Sequence, residues 1–141
     1  MTLILDSSGL LSAIDADQRF HQATREALGR AAGPLILSPF ILAELDYMIL
    51  TRYGHSEELS LLGEVARGVY RLEQISAEDV AKAMEVIERY VGFGDVGLAD
   101  VSNVVLAQRY GTRDILTLDE QHFRVLRGPG DLPFRMLPAD L

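Results

Sequence analysis

The 141-residue chain carries 21 acidic against 13 lysine and arginine side chains, a net charge of −8 that argues against coating nucleic acid by bulk charge. Its length predicts one domain, residues 1–141, and the absence of cysteine excludes disulfides, thiolate nucleophiles and cysteine-based zinc sites. Since no apolar run approaches the roughly 18 residues of a membrane span and no basic segment precedes Asp6, we expect a cytoplasmic protein without membrane contact.

Short apolar runs alternate with helical patterns along the chain. Leu3–Leu5 and Leu35–Leu37 are unbroken apolar runs, as in strands buried on both faces. Ser38 followed by Pro39 is typical of a helix start. In chain order we predict a strand at 3–5, helices ending at 14 and covering 18–32, a strand at 35–37, helices at 39–53 and 56–67, a strand at 69–72, helices beginning at 76 and covering 98–110, and strands at 114–118 and 134–137.

Two of the predicted strands are followed by an aspartate. The alternation of strands and helices predicts a three-layer α/β/α domain around a short, mostly parallel sheet. In such sheets ligands bind beyond the carboxyl ends of the strands, where Asp6 and Asp119 would both lie. Asp6 alone is equally explained as a cap for the next helix.

Glu44 lies in a predicted helix that is apolar on nearly all sides. Its neighbours one turn away include Phe40 and Met48, so we expect the carboxylate to sit in apolar surroundings. An ionised carboxylate there requires a cation, a proton or an arginine partner. Asp46 is the alternative inward acid, although it could instead cluster outward with Arg52.

A third group of polar residues surrounds the start of the 98–110 helix. Asp100 lies in the first helical turn, where the positive helix end favours an anion, and this is also a sufficient structural reason for it. Asn103 is one turn later and could hydrogen-bond a metal-bound water. Asp95, in the preceding glycine-rich loop, could cap the helix or join an acidic site, and we favour the cap.

Convergence of the four acids would create strong mutual repulsion. Carboxylates about 4–6 Å apart repel each other with an energy on the kcal/mol scale for each pair. The only lysine that could offset this charge is Lys82. Oxygen-bound Mg²⁺ or Mn²⁺ would relieve this repulsion and could support attack of water on a phosphodiester. The pattern therefore predicts a metal-dependent hydrolase that uses Asp6, Glu44, Asp100 and Asp119.

Four segments in order resemble the PIN-domain family, and within it the VapC toxins of bacterial toxin–antitoxin pairs. They are Leu-Ile-Leu-Asp-Ser-Ser from residue 3, Ser-Pro-Phe-Ile-Leu-Ala-Glu-Leu-Asp-Tyr from residue 38, Gly-Leu-Ala-Asp-Val-Ser-Asn from residue 97 and Leu-Thr-Leu-Asp-Glu-Gln-His-Phe from residue 116. The resemblance implies an endoribonuclease that inhibits translation by cutting a tRNA or an rRNA loop. Metal binding is carried mainly onto Asp6 and Asp100, with Glu44 and Asp119 as further ligands, and supporting hydroxyls onto Ser8 and Thr117.

The resemblance also implies partners. Family members commonly form homodimers and larger assemblies with a VapB-type antitoxin, and they reach promoter DNA only through that antitoxin. Arg113 and Arg124 are candidate RNA contacts near Asp119, with surface ion pairs as the alternative. His122 is expected to be structural or exposed. A housekeeping PIN nuclease and a binding module that has lost catalysis are the alternative functions.

Overall fold

The computed structural model describes residues 1–141 and contains a five-stranded, all-parallel sheet with the strand order β3-β2-β1-β4-β5. The strands are two or three residues long, and only β1 and β2 consist entirely of apolar residues. Their bounds are β1 Leu3–Leu5, β2 Leu35–Leu37, β3 Arg71–Leu72, β4 Asp114–Leu116 and β5 Arg135–Leu137. The fold is therefore the predicted α/β architecture.

Seven α-helices flank the sheet. Ser38 caps the third helix by accepting the N–H of Phe40 at 3.2 Å, and Ser76 and Asp79 form a reciprocal capping box on the fifth. The helices are α1 Ser7–Ile14, α2 His21–Arg30, α3 Pro39–Tyr53, α4 His55–Ala66, α5 Ala77–Arg89, α6 Leu98–Tyr110 and α7 Glu120–Phe123. No helix has both the length and the apolar character that a membrane span requires.

Alternating side chains of β1 divide the core into two layers. Leu3 and Leu5 pack in a cluster with apolar residues of α1, α2 and α3, whereas Ile4 packs with residues of α6 and α7 on the other face. Every residue of β1 is fully buried, because helices cover both faces of the sheet. The chain therefore folds as the three layers that the sequence predicts.

Several element bounds differ from the prediction. β4 ends at Leu116, so Thr117 and Leu118 lie beyond the strand rather than in it. α2 begins at His21 instead of 18, and β3 is shorter than 69–72. The four-residue α7 was not predicted, because so short a helix carries no apolar periodicity.

Candidate active site

The acidic residues gather where the strand order changes direction. β1 and β4 are neighbours in the sheet although they are far apart in sequence, and their carboxyl ends lie at the same edge. Asp6 follows β1, Asp119 follows β4, and Asp100 lies in the first turn of α6. Together with Glu44 of α3, these carboxylates form a group that we call the acidic edge.

Asp6 is the most enclosed carboxylate of the acidic edge, with 3% of its surface exposed. The Thr117 hydroxyl donates to Asp6 Oδ2 at 2.6 Å, and Asn103 Nδ2 donates to Asp6 Oδ1 at 3.4 Å. Burial raises the pKa of Asp6 to about 7, and the negative charges of Asp100 and Asp119 add to this, while the Thr117 hydrogen bond opposes it. A cation bound nearby would stabilise the ionised form of this carboxyl, which burial otherwise disfavours.

Close packing of α1 on β4 holds Asp6 in this position. A Cβ added to Gly9 would lie 2.3 Å from the carbonyl oxygen of Leu116, so only glycine allows the helix to approach the strand so closely. The Ser8 hydroxyl then accepts the N–H of Leu118 at 2.9 Å and lies 3.3 Å from Asp6 Oδ2. Asp6 precedes α1 without capping it through its side chain, so its carboxylate is free for the acidic edge.

Asp119 is held in place by hydrogen bonds with Thr117 and His122, its near neighbours in the sequence. Its N–H donates to the Thr117 hydroxyl at 3.0 Å, and its carboxylate caps α7 by accepting the N–H of His122 at 3.1 Å. The His122 ring nitrogen Nδ1 lies 2.7 Å from Asp119 Oδ2 and 3.6 Å from Asp100 Oδ2. The hydrogen bond to Asp119 and the charges of both aspartates raise the pKa of His122.

Asp100 is partly buried among the same charges. Burial raises its pKa, the negative charges of Asp119 and Glu44 contribute, and His122 counteracts them. One ligand atom from each of Asp100, Asp119 and His122 lies within 4.8 Å of the others, a spacing that can hold a metal ion. His122, which the sequence predicts to be structural or exposed, lies here because α7 brings its ring nitrogen back to the carboxylate of Asp119.

The structure corrects the surroundings expected for Glu44. Its side chain is exposed, and its carboxylate accepts a hydrogen bond from the Ser7 hydroxyl. The buried face of α3 is formed by Ile41, Leu45 and Ile49, and Glu44 does not lie on it. The predicted apolar surroundings were wrong because so many residues of α3 are apolar that the sequence does not define the inward face.

Two other acids lie outside the acidic edge. Asp95 is exposed and forms no side-chain hydrogen bond, and α6 is preceded by Gly97 without a side-chain cap, so the expected capping role of Asp95 was wrong. Asp46 interacts with Glu58 of α4, which raises the pKa of Asp46. The predicted outward cluster of Asp46 with Arg52 is replaced by this contact between α3 and α4.

Arginine side chains do not reach the acidic edge. Arg124 binds Glu120 at 3.0 Å and Asp140 at 2.8 Å, and Arg113 donates to the carbonyl of Pro133 at 3.0 Å. No lysine or arginine forms an ion pair with any of the four carboxylates. His122, which is cationic when its ring is protonated, is therefore the one basic side chain that contacts them, and the donor set of oxygens and one imidazole suits a divalent metal.

Comparison with known proteins places this geometry in a family. No protein-family model matches the chain. The chain is 41% identical over 136 residues to ribonuclease VapC26 of Mycobacterium tuberculosis. The matched region covers 96% of this chain and all of that protein.

Solved structures share the fold. The sarcin–ricin loop-cleaving toxin VapC20 of Mycobacterium tuberculosis superposes with a TM-score of 0.76 at 17% identity, over 83% of this chain and 89% of that one. VapBC2 of Rickettsia felis, bound to a promoter DNA fragment, gives a TM-score of 0.69 at 18% identity, over 96% of this chain and 98% of that one. The chain belongs to the VapC family of PIN-domain ribonuclease toxins.

Proposed function

We propose that the chain is a metal-dependent endoribonuclease that hydrolyses RNA phosphodiester bonds with Asp6, Glu44, Asp100 and Asp119. The observation that carries this proposal is the convergence of these carboxylates at one sheet edge without an arginine or lysine partner. Acids held together in this way destabilise one another unless a cation is bound. Their placement at the strand-order change is also where ligands bind in parallel sheets.

Asp100, Asp119 and Asp6 are the residues that would hold the metal, with Glu44 and His122 beside them. Carboxylate oxygens favour Mg²⁺ or Mn²⁺ over softer metals. When bound, the cation would supply positive charge that stabilises the negative charge developing on the phosphate during hydrolysis.

The remaining residues of the site fix these carboxylates. Thr117 donates to Asp6 and accepts from the backbone of Asp119, so one hydroxyl sets the relative position of two acids. Asn103 holds the other oxygen of Asp6. His122 orients Asp119, and Ser7 orients the exposed Glu44, which can accept a proton from water at the rim of the site.

The family assigns a cellular role to this nuclease. We infer that residues 1–141 act as one PIN domain in the cytoplasm, that the toxin inhibits translation, and that a VapB-type antitoxin restrains it. The VapBC structures of Rickettsia felis and Salmonella typhimurium were solved with DNA, which supports promoter binding through the antitoxin. A homodimer of this chain within a larger toxin–antitoxin assembly fits the same family.

The test is cleavage of purified total RNA by the protein freed of any antitoxin. We expect cleavage with Mg²⁺ or Mn²⁺, none in excess EDTA, and at least a hundredfold lower rate for Asp6→Asn and Asp100→Asn, as is typical when a group acting on the transition state is removed. Asp95→Asn is the matched control, because this exposed aspartate lies outside the acidic edge, and it should cut at the wild-type rate. Cleavage that persists in EDTA would contradict the metal mechanism.

A further inference from the structure

An apolar pocket of about 230 Å³ opens beside the acidic edge. Its walls come from the start of α2, the segment between β4 and α7, and the residues after β5. The residues that matter here are Phe20, Ala23, Thr117, Leu118 and Pro138, and we call this cavity the Phe20 pocket.

The Phe20 pocket and the acidic edge share a wall. Thr117 lines the pocket, and its hydroxyl donates to Asp6 at 2.6 Å. Leu118 and Glu120 line the pocket, while Asp119 between them contacts His122 in the acidic edge. A molecule whose phosphate lies at the carboxylates can therefore reach the pocket with an adjoining group.

Phe20 is an aromatic residue that the hydrophobic core does not use. The residue is 43% exposed and precedes the first turn of α2. The guanidinium carbon of Arg19 lies 5.1 Å from the centre of its ring, and Arg19 forms no ion pair with an acid. The rim thus presents a flat apolar ring together with a cation, which is the combination that binds a base and its phosphate.

We propose that the Phe20 pocket holds one unpaired nucleobase of the RNA, stacked on Phe20, adjacent to the phosphodiester that water hydrolyses at the acidic edge. This proposal rests on the proposed ribonuclease function. The pocket is smaller than the roughly 300–1,000 Å³ of sites for drug-sized ligands, so it suits a single planar ring. Arg19 supplies the positive charge for a neighbouring phosphate, which the carboxylates themselves would repel.

The direct test is RNA binding in the absence of cleavage. The protein carries Asp100→Asn, EDTA is present, and the probes are fluorescein-labelled single-stranded decamers of adenylate, cytidylate and uridylate, followed by fluorescence anisotropy. Phe20→Ala should raise the dissociation constant about tenfold, since stacking on an aromatic ring contributes that much per base. Phe20→Tyr keeps the ring and should bind as the parent does, and so should Leu59→Ala, an exposed apolar residue of α4.

Separate outcomes distinguish the pocket from the nuclease activity. Wild-type cleavage of RNA with an unchanged KM in Phe20→Ala would overturn the pocket proposal and leave the ribonuclease function standing. If Phe20→Ala loses decamer binding but the wild-type protein cuts no RNA, the pocket is supported and the ribonuclease function is refuted. Unchanged RNA binding with weaker capture of a co-expressed antitoxin would overturn the proposal in favour of a protein partner, and so would the failure of all three decamers to bind the parent.

Discussion

Acidic side chains at the acidic edge and those paired with arginine on the flank of the same sheet have opposite electrostatic surroundings. At the edge, Asp6 has a pKa raised to about 7 by burial, with no arginine or lysine nearby. On the flank, Arg124 grips Asp140 through two hydrogen bonds of 2.8 Å, and this holds the pKa of Asp140 below its ordinary value. Arg109 likewise binds Glu73 at 3.0 Å and Asp79 at 2.8 Å.

This difference explains why the net charge of the chain is a poor guide to its function. A total of −8 argues against a nucleic-acid partner. Acids on the flank are neutralised within the chain, whereas those at the edge are left for an external cation. Local pairing of charge, rather than its sum, therefore determines where a phosphate-binding metal can be held.

The largest expected effect concerns Asp6 in the metal-free protein. A folded-state pKa near 7 against 3.8 in the unfolded chain means that the folded state binds the proton more tightly between these values. The contribution of Asp6 to stability is then fully present below pH 3.8 and is lost as pH rises to 7, by up to about 4 kcal/mol. Asp6→Asn should escape this loss.

Urea unfolding in EDTA from pH 4 to pH 8 measures the effect. The stability advantage of Asp6→Asn over wild type should grow as pH rises and should become constant above pH 7. Asp95→Asn, which changes an exposed carboxyl outside the acidic edge, should give no such trend. A difference between Asp6→Asn and wild type that is independent of pH would show that burial does not dominate at Asp6.

Thr117→Val is expected to have the next largest effect. Valine keeps the shape of threonine but leaves Asp6 without its shortest donor and the Asp119 N–H without an acceptor. Because the site is fully buried, we expect a loss of about 1–3 kcal/mol. Thermal unfolding at neutral pH measures it, and Thr117→Ser should restore most of the stability. Equal stability of the valine and threonine proteins would contradict the role of this hydroxyl.

His122→Gln tests the one cation at the acidic edge. The pKa of His122 is raised by its hydrogen bond to Asp119, so its contribution to stability is present below pH 6.5 and is lost as pH rises through the raised value. In EDTA, we expect the free energy of unfolding of wild type to exceed that of the variant by about 1 kcal/mol near pH 6 and by less at pH 9. A deficit that is the same at both pH values would assign His122 a packing role instead.

The sequence predicts the acidic edge better than it predicts the contacts around it. Asp6 and Asp119 each follow an apolar run, and carboxyl ends of parallel strands meet, so their approach follows from local pattern and topology. Asp100 follows from its place in the first turn of α6. The order of the strands and helices along the chain is enough to predict where these three residues lie.

The contacts that the sequence does not predict join segments that are far apart in the chain. The Ser7 hydroxyl donates to Glu44, 37 positions away, and no local pattern predicts this. His122 reaches Asp100 only because a four-residue helix follows β4, and that helix is too short for periodicity to reveal. Side-chain partners of this kind are set by tertiary packing, which a single sequence does not specify.

Arg124→Gln should have the smallest effect, and its pH dependence should have the opposite sign to that of Asp6. The Arg124 guanidinium lowers the pKa of Asp140, so the contribution of this pair is present above pH 3.8 and is lost as pH falls through the lowered value. Both side chains are partly exposed, so solvent screening limits the loss to about 0.5 kcal/mol. Urea unfolding at pH 6 and pH 2.5 should show this deficit only at the higher pH, and 1 M salt should reduce it. A deficit that instead grew with acidification would place Asp140 with the acids of the acidic edge, and the contrast between the two regions would fail.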